Sequence, residues 1–297
     1  MPVAPEFDGG VPPIASGPSK SPPSGSCDTH AHVFGPYDVF PFVTPPSYPP
    51  PLAPFELYSA MLARVGIDRG VLVQPAPYGT DNRALTDALR RGKGKTRGIA
   101  VVTESVSDRE LAALQEAGVR GLRFNEMIDS GTGGRFEGSV GVDQLRRLAP
   151  RMKELDWHAQ VWARCDDAAS LAREITQLGI PVVFEHMASF RVEQGTRDPK
   201  FREILALLTE GRIWLKLSVC RSSKAYPNYE DVRPFHDALI DANPGRLLWA
   251  SDWPFVRISD AAPDVGHLVD LFSEWIGDEE IERKILVENA GSLYSFQ

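Results

Sequence analysis

Eight short stretches in which apolar residues run nearly unbroken are separated by longer stretches in which they recur every three or four positions. The short ones are CDTHAHVF (27–34), GVLVQPA (70–76), TRGIAVV (96–102), VRGLRFN (119–125), WHAQVWA (157–163), PVVFEHM (181–187), RIWLKLS (212–218) and RLLWASDW (246–253). Runs of this length, rich in Val, Ile, Leu and aromatic residues, predict strands buried on both faces. The longer stretches, PFELYSAMLARVG, SDRELAALQEAG, VDQLRRLAPRMKELD, DDAASLAREITQLG and PKFREILALLTEG, carry amphipathic helical spacing. Gly118, Gly179 and Gly211 close three of them, and Ser107, Asp108 and Asp166 stand where N-caps are expected.

Eight such alternations in about 270 residues predict an α/β fold, a (β/α)₈ TIM barrel in one domain over residues 27–297. An open doubly wound sheet is the alternative, and the missing glycine-rich phosphate loop after the first strand counts against it. Residues 1–26 are rich in Pro, Gly and Ser and predict an extended N-terminal arm, lying over the body or over a neighbouring subunit. The proline-rich segment 41–54 is read either as a binding loop or as a plain connector.

Composition narrows the function classes. The 297 residues carry a formal charge of -8, which argues against nucleic acid as a partner. No apolar run is long enough to cross a membrane, and the N-terminus lacks the basic-then-apolar order of a signal peptide. The three cysteines match neither a zinc knuckle nor a redox pair, so a reducing, cytoplasmic setting is expected. Any oligomer would be a homo-oligomer.

In a barrel of this kind the chemistry belongs at the C-terminal ends of the strands. Those ends offer His30 and His32, then Gln74, Arg123 with Asn125, Gln160 with Trp162, His186, Lys216 with Arg221 beyond it, and Asp252. Taken alone, each has a bland reading. His186 could be a satisfied core histidine, Asp252 a turn cap, and Lys216 a deep ion-pair partner of Asp28 or Glu185. His158 opens its strand and belongs to the opposite end, while His236 and His267 are read as surface residues. Together, three histidines and an aspartate suit a divalent cation such as zinc. They also suit a metal-free site in which imidazoles polarise a carbonyl and Asp252 serves as general base.

The motifs DTHAHVFGP, RGIAVV, RGLRFN, VVFEHM, IWLKLS, LLWASDWP and ENAGSLYSF, in this order from about Ser26 to Phe296, resemble the amidohydrolase superfamily. Within it they resemble the amidohydrolase-2 branch of lactonases typified by 2-pyrone-4,6-dicarboxylate hydrolase. The resemblance implies a (β/α)₈ barrel, a small-molecule lactone as substrate, and one divalent cation or none. It implies catalytic roles for His30, His32, His186 and Asp252, which are also the metal ligands if a metal binds. It places Arg123 at a carboxylate-binding position and Tyr48 at that of a loop tyrosine. Departures from the branch lie at Glu126 and Asp129, where a basic residue is expected, at Ala76 for a serine, at Trp162 for a tyrosine, and at Arg221, whose register is shifted. A planar dicarboxylate therefore suits the site less well than a sugar-acid or muconolactone-type lactone with one carboxylate, bound by Arg123, Asn125, Gln74, Tyr48, Trp162 and Arg221. The rival readings are a lactone isomerase, in which an internal hydroxyl replaces water, a metal-dependent decarboxylase, and a non-catalytic sugar-acid-binding barrel.

Overall fold

Each of the eight apolar runs forms a strand in the computed structural model, which describes residues 10–44, 46–258 and 262–296. The strands are β1 (Cys27–Ala31), β2 (Arg69–Val73), β3 (Thr96–Ala100), β4 (Val119–Asn125), β5 (His158–Trp162), β6 (Val182–Phe184), β7 (Trp214–Leu217) and β8 (Leu247–Trp249). All neighbours pair in parallel and in sequence order. The ring closes where β1 meets the chain leaving β8. Thr29 Oγ1 donates to the Trp249 carbonyl at 2.8 Å, Asp252 N donates to the His30 carbonyl at 2.9 Å, and His32 N donates to the Trp253 carbonyl at 2.8 Å. This seam sets Asp252 beside both histidines, although more than 200 residues separate them in the chain.

The outer layer is built from α1 (Phe55–Val65), α2 (Arg83–Arg91), α3 (Asp108–Ala117), α4 (Leu145–Glu154), α5 (Cys165–Thr176), α6 (Pro199–Thr209), α7 (Val219–Ser222), α8 (Arg233–Ala242), α9 (Val265–Ile276) and a helical C-terminus over residues 279–294. Strand alternation sorts the apolar residues into two cores. Val71, Val73, Ile99, Val183 and Leu248 belong to one cluster, while Leu72, Leu122, Phe124, Phe184 and Leu215 pack into the other, under the helices. With both faces apolar, the strands read as continuous hydrophobic runs.

Local signals set several boundaries. Ser107 and Glu110 form a reciprocal capping box at the start of α3, leaving Asp108 as its first helical residue. Asp166 does not cap α5. That helix begins at Cys165 after Arg164, and Asp166 lies in its first turn, where a negative charge still favours the helix N-terminus. His236 is not a surface residue: it is buried on α8, edge-on to Trp275 with ring centroids 5.2 Å apart. His158 lies at the N-terminal end of β5, edge-on to Tyr294.

The arm lies on the chain's own body. Ser16 N and Ser19 N donate to Asp264 and Asp270 at 2.9 and 2.8 Å, and Leu52 N donates to the Gly10 carbonyl. A side chain at residue 266, in the first turn of α9, would meet the Ser16 carbonyl at 2.3 Å, so the close approach of the arm requires Gly266. The first nine residues of the expected arm lie outside the described residues. Among the described residues, no helix is long and apolar enough to cross a membrane.

Candidate active site

At the C-terminal ends of the strands a cavity of about 340 Å³ is walled by His32, Tyr48, Arg123, Asn125, Trp162, His186, Arg221 and Asp252. Segment 41–54 supplies Ser47 and Tyr48 to this wall and is tied down where Val43 N donates to the Pro77 carbonyl. His30 is fully buried beneath the wall. A larger groove of about 830 Å³ between α2 and α3 is lined by none of these residues.

His30 and His32 alternate onto one face of the chain, and their Nε2 atoms lie 3.3 Å apart. His30 Nε2 is 3.8 Å from Asp252 Oδ1 and His186 Nε2 is 4.0 Å from the same oxygen. Burial pushes all three imidazoles down, and the nearby cations add to this: Lys216 first for His30, Arg123 for His32, which falls to about 3, and Arg221 for His186. They are neutral at pH 7. His32 Nδ1 lies 2.7 Å from the Val73 carbonyl. A carbonyl only accepts, so Nδ1 carries the proton and Nε2 presents a lone pair.

Asp252 is held asymmetrically. Its Oδ2 accepts from Arg221 Nε, while the buried Oδ1 has no hydrogen-bond partner. Burial raises this carboxyl to about 6 against the pull of Arg221. Its backbone is in the left-handed region at φ 63°, and so are the four residues His186–Ser189 that follow β6. For non-glycine residues this conformation costs about 1–2 kcal/mol each, and such strain concentrates at functional sites.

Below the rim lies a buried polar chain that the sequence reading missed. Arg123 donates from Nε and Nη2 to both oxygens of Glu185, at 2.8 and 2.7 Å, and from Nη1 to the Gln74 carbonyl at 3.1 Å. Gln160 Nε2 donates to Glu185 at 2.6 Å, and Lys216 Nζ donates to Gln160 Oε1 and to the Thr29 carbonyl, each at 2.6 Å. Burial works to raise the Glu185 carboxyl, but Arg123, Lys216 and Gln160 together hold it below its usual value. Lys216 therefore hydrogen-bonds to neutral groups and makes no ion pair with Asp28 or Glu185. Burial brings its ammonium down to about 7, against the pull of Glu185. Asp28 instead staples the seam, accepting from Ser251 N and Oγ and from Tyr58 OH. A sequence signal for the Arg123–Glu185 pair did exist, since a glutamate ending an apolar strand needs a buried cation.

Gln74 departs from its expected role. Its Nε2 donates to the carbonyls of Gly79 and Asp81, which fixes the loop after β2, and it is absent from the cavity wall. Asn125 lines the cavity, and its Oδ1 accepts from Met127 N. Arg221 is paired with Asp252, so it is not a free anchor. Glu126 is not part of the cavity wall; its carboxylate accepts from Arg135, which is, and from the backbone N–H of Val142, whereas Asp129 faces the cavity.

Two overlapping sets could hold a cation, His30–Glu185–His186 and His30–His32–Asp252, with ligand atoms within 4.8 Å of one another. Two nitrogens, each about 2.0–2.1 Å from a tetrahedral zinc, lie about 3.3 Å apart, which is the observed His30–His32 spacing. The unpartnered Asp252 Oδ1 completes a fitting donor set. Of the three imidazoles, His32 alone has an acceptor for its outer nitrogen among the described residues; Nδ1 of His30 and of His186 has no partner there. Such outer bonds orient metal-ligating imidazoles and strengthen a metal site where one is present.

The chain is 36% identical over 282 residues to a 2-pyrone-4,6-dicarboxylate hydrolase of Comamonas testosteroni, covering 92% of this chain and 90% of the relative. It is 33% identical over 275 residues to a 4-sulfomuconolactone hydrolase of Hydrogenophaga intermedia, covering 92% and 89%. A solved structure from Pseudomonas putida, described as a candidate 2-pyrone-4,6-dicarboxylic acid hydrolase, superposes with a TM-score of 0.78 at 30% identity, covering 92% of this chain and 98% of that one. The profile of the amidohydrolase family matches residues 27–296, and the chain belongs to that family.

Proposed function

We infer that the protein is a lactone hydrolase acting on a lactone that bears a carboxylate. The observation that carries this reading is the state of Asp252. It is a buried carboxylate with one oxygen fixed by Arg221 and the other unpartnered, beside neutral imidazoles and facing a cavity. The hydrolases among its relatives act on lactones by name.

In this mechanism Arg123 binds the substrate carboxylate. Three of its five N–H bonds are committed to Glu185 and Gln74, which leaves one on each terminal nitrogen to form an end-on fork. Glu185 keeps that fork from swinging. Asp252 Oδ1 takes a proton from water as the water oxygen attacks the lactone carbonyl. When the ring C–O bond breaks, Asp252 returns the proton to the leaving oxygen. Arg221 keeps Oδ2 engaged so that Oδ1 faces the water. A divalent cation, zinc by the donor set, would be held by His30, His32, His186 and Asp252 and, when bound, supplies Lewis-acid polarisation of the carbonyl. Without it His30 donates from Nε2 to His32 Nε2, because His32 presents only a lone pair there. Trp162 forms an apolar wall, with the Arg123 guanidinium 5.6 Å from its ring centroid. Asn125 and Tyr48 offer polar contacts to the ring substituents. The substrate is a small molecule, and the three free, buried cysteines suit a cytoplasmic enzyme.

A pH-indicator screen of a lactone panel, with and without chelator, tests the function. Acid release from carboxylate-bearing lactones is expected, and failure on every member would sink the reading. The state of Asp252 gives a second expectation. With its carboxyl raised to about 6, base competence is present above that pH and is lost as pH falls through it. In chelator-treated protein labelled with carboxyl-13C aspartate, one resonance should titrate near 6 and be missing from Asp252→Asn. Titration near the ordinary aspartate value, about 4, would contradict the buried, singly held carboxylate.

A further inference from the structure

Four arginines line the cavity: Arg123, Arg135, Arg221 and Arg257. Three of them are neutralised locally, Arg123 by Glu185, Arg135 by Glu126 and Asp143, and Arg221 by Asp252. Arg257 has no carboxylate partner among the described residues. Its guanidinium lies 4.7 Å from the centroid of the Phe136 ring, and Phe136 stacks on Trp162 with centroids 5.6 Å apart and planes 3° apart. The guanidinium of this exposed residue is therefore set against an aromatic stack at the cavity wall, with no counter-ion among the described residues. A cation over a ring keeps its N–H bonds in the plane free for an oxyanion.

The charge also reaches into the cavity. Burial raises the Tyr48 phenol, and the guanidinium groups of Arg123, Arg221 and Arg257 act together against that rise, so Arg257 belongs to the same ring of cations around Tyr48. Asp129 and Glu137 line the cavity as well, so an anionic substituent gains there only through direct contact with a guanidinium. Arg257 is the one guanidinium of the wall without a carboxylate partner among the described residues.

We propose that Arg257 is a specificity-determining residue that binds a second oxyanionic group, carboxylate or sulfonate, on a substrate whose first carboxylate is held by Arg123. The proposal rests on the lactone reading for its substrate class and extends it to lactones carrying two anionic groups. The guanidinium would stay on Phe136 while its N–H fork takes two oxygens of the substituent, so that the stack aligns a flat ring against Trp162. Nothing in the sequence pattern marks this role, because Arg257 lies in a loop five residues beyond Asp252 and outside every motif.

Binding calorimetry with non-hydrolysable rings tests the proposal without turnover, so a failed lactone screen and a failed anion site remain distinguishable. The probes are benzoate, benzene-1,3-dicarboxylate and 3-sulfobenzoate, titrated into the wild-type protein and into Arg257→Gln and Arg257→Lys. Wild-type protein should bind at least one of the two dianions more tightly than benzoate. Arg257→Gln should reduce that preference about tenfold, the loss of one charge-assisted contact, and Arg257→Lys should restore part of it. Loss confined to the dicarboxylate or to the sulfobenzoate identifies the group recognised. No preference for either dianion in wild-type protein, or a preference unchanged in Arg257→Gln, would overturn the proposal.

Discussion

Asp252→Asn is expected to lower kcat by about a thousandfold, within the range that a positioned general base contributes. Asparagine keeps the size and hydrogen-bonding shape of the side chain but cannot accept the proton of the attacking water. The direction of the KM change is informative. In the wild-type protein Arg221 is held by the Asp252 carboxylate, and asparagine removes that charge. The freed guanidinium can then attract the substrate carboxylate, so KM should stay level or fall while kcat collapses. Steady-state kinetics on any lactone found to be a substrate measures both. A variant that retains more than about a tenth of wild-type kcat would place the base elsewhere.

Arg123→Met should strike stability and binding together. Arg123 and Glu185 form a doubly hydrogen-bonded pair, 8% and 0% exposed. Removing one member strands a carboxylate in the barrel, a change that costs about 3–5 kcal/mol when the remaining charge is uncompensated. The double variant Arg123→Met/Glu185→Gln tests the cause. It removes the stranded charge, and its neutral amide oxygen still accepts from Gln160. It should regain most of the lost denaturation midpoint while KM stays raised about 10- to 100-fold, the worth of a charged substrate contact. If the double variant is no more stable than the single one, the pair is not what Arg123 contributes to the fold. If its KM matches wild type, Arg123 does not bind substrate.

Much of the fold was legible because a parallel barrel writes a simple pattern. Strands such as GVLVQPA are apolar on both faces, since Val71 and Val73 pack into one core and Leu72 into the other. The helices between them carry a single apolar stripe. Chemistry at the strand ends was readable for the same reason, as His30, His32, His186 and Asp252 are polar interruptions of runs that otherwise bury completely. Pairings across the barrel were harder to read. Position beyond a strand end suggests Arg221 as a substrate anchor, but the loop after β7 brings it onto Asp252. Gln74 looked available, but its amide satisfies two loop carbonyls. Lys216 looked ionic and proved to serve a neutral amide and a backbone carbonyl. In each case the residue type predicts a need for partners, and only the three-dimensional register decides which partner meets it. Arg257 and Phe136 were least legible, because loop residues carry no periodicity that fixes where they point.

The seam between β1 and β8 gives these placements a common origin. The hydrogen bonds that close the barrel join the backbones of His30 and His32 to Asp252 and Trp253, and Asp28 ties Ser251 to the same seam. The ring closure that folds the domain thus also gathers the polar groups at the rim.

Hydrolysis by water is the central claim, and isotope incorporation tests it most directly. A carboxylate-bearing lactone is turned over in 18O-labelled water, and the open-chain product is analysed by mass spectrometry. The account predicts one 18O atom in the new carboxylate of every product molecule, with one acid equivalent released. A rearranged lactone that carries no 18O and releases no acid would show an internal hydroxyl taking the place of water, and would contradict it.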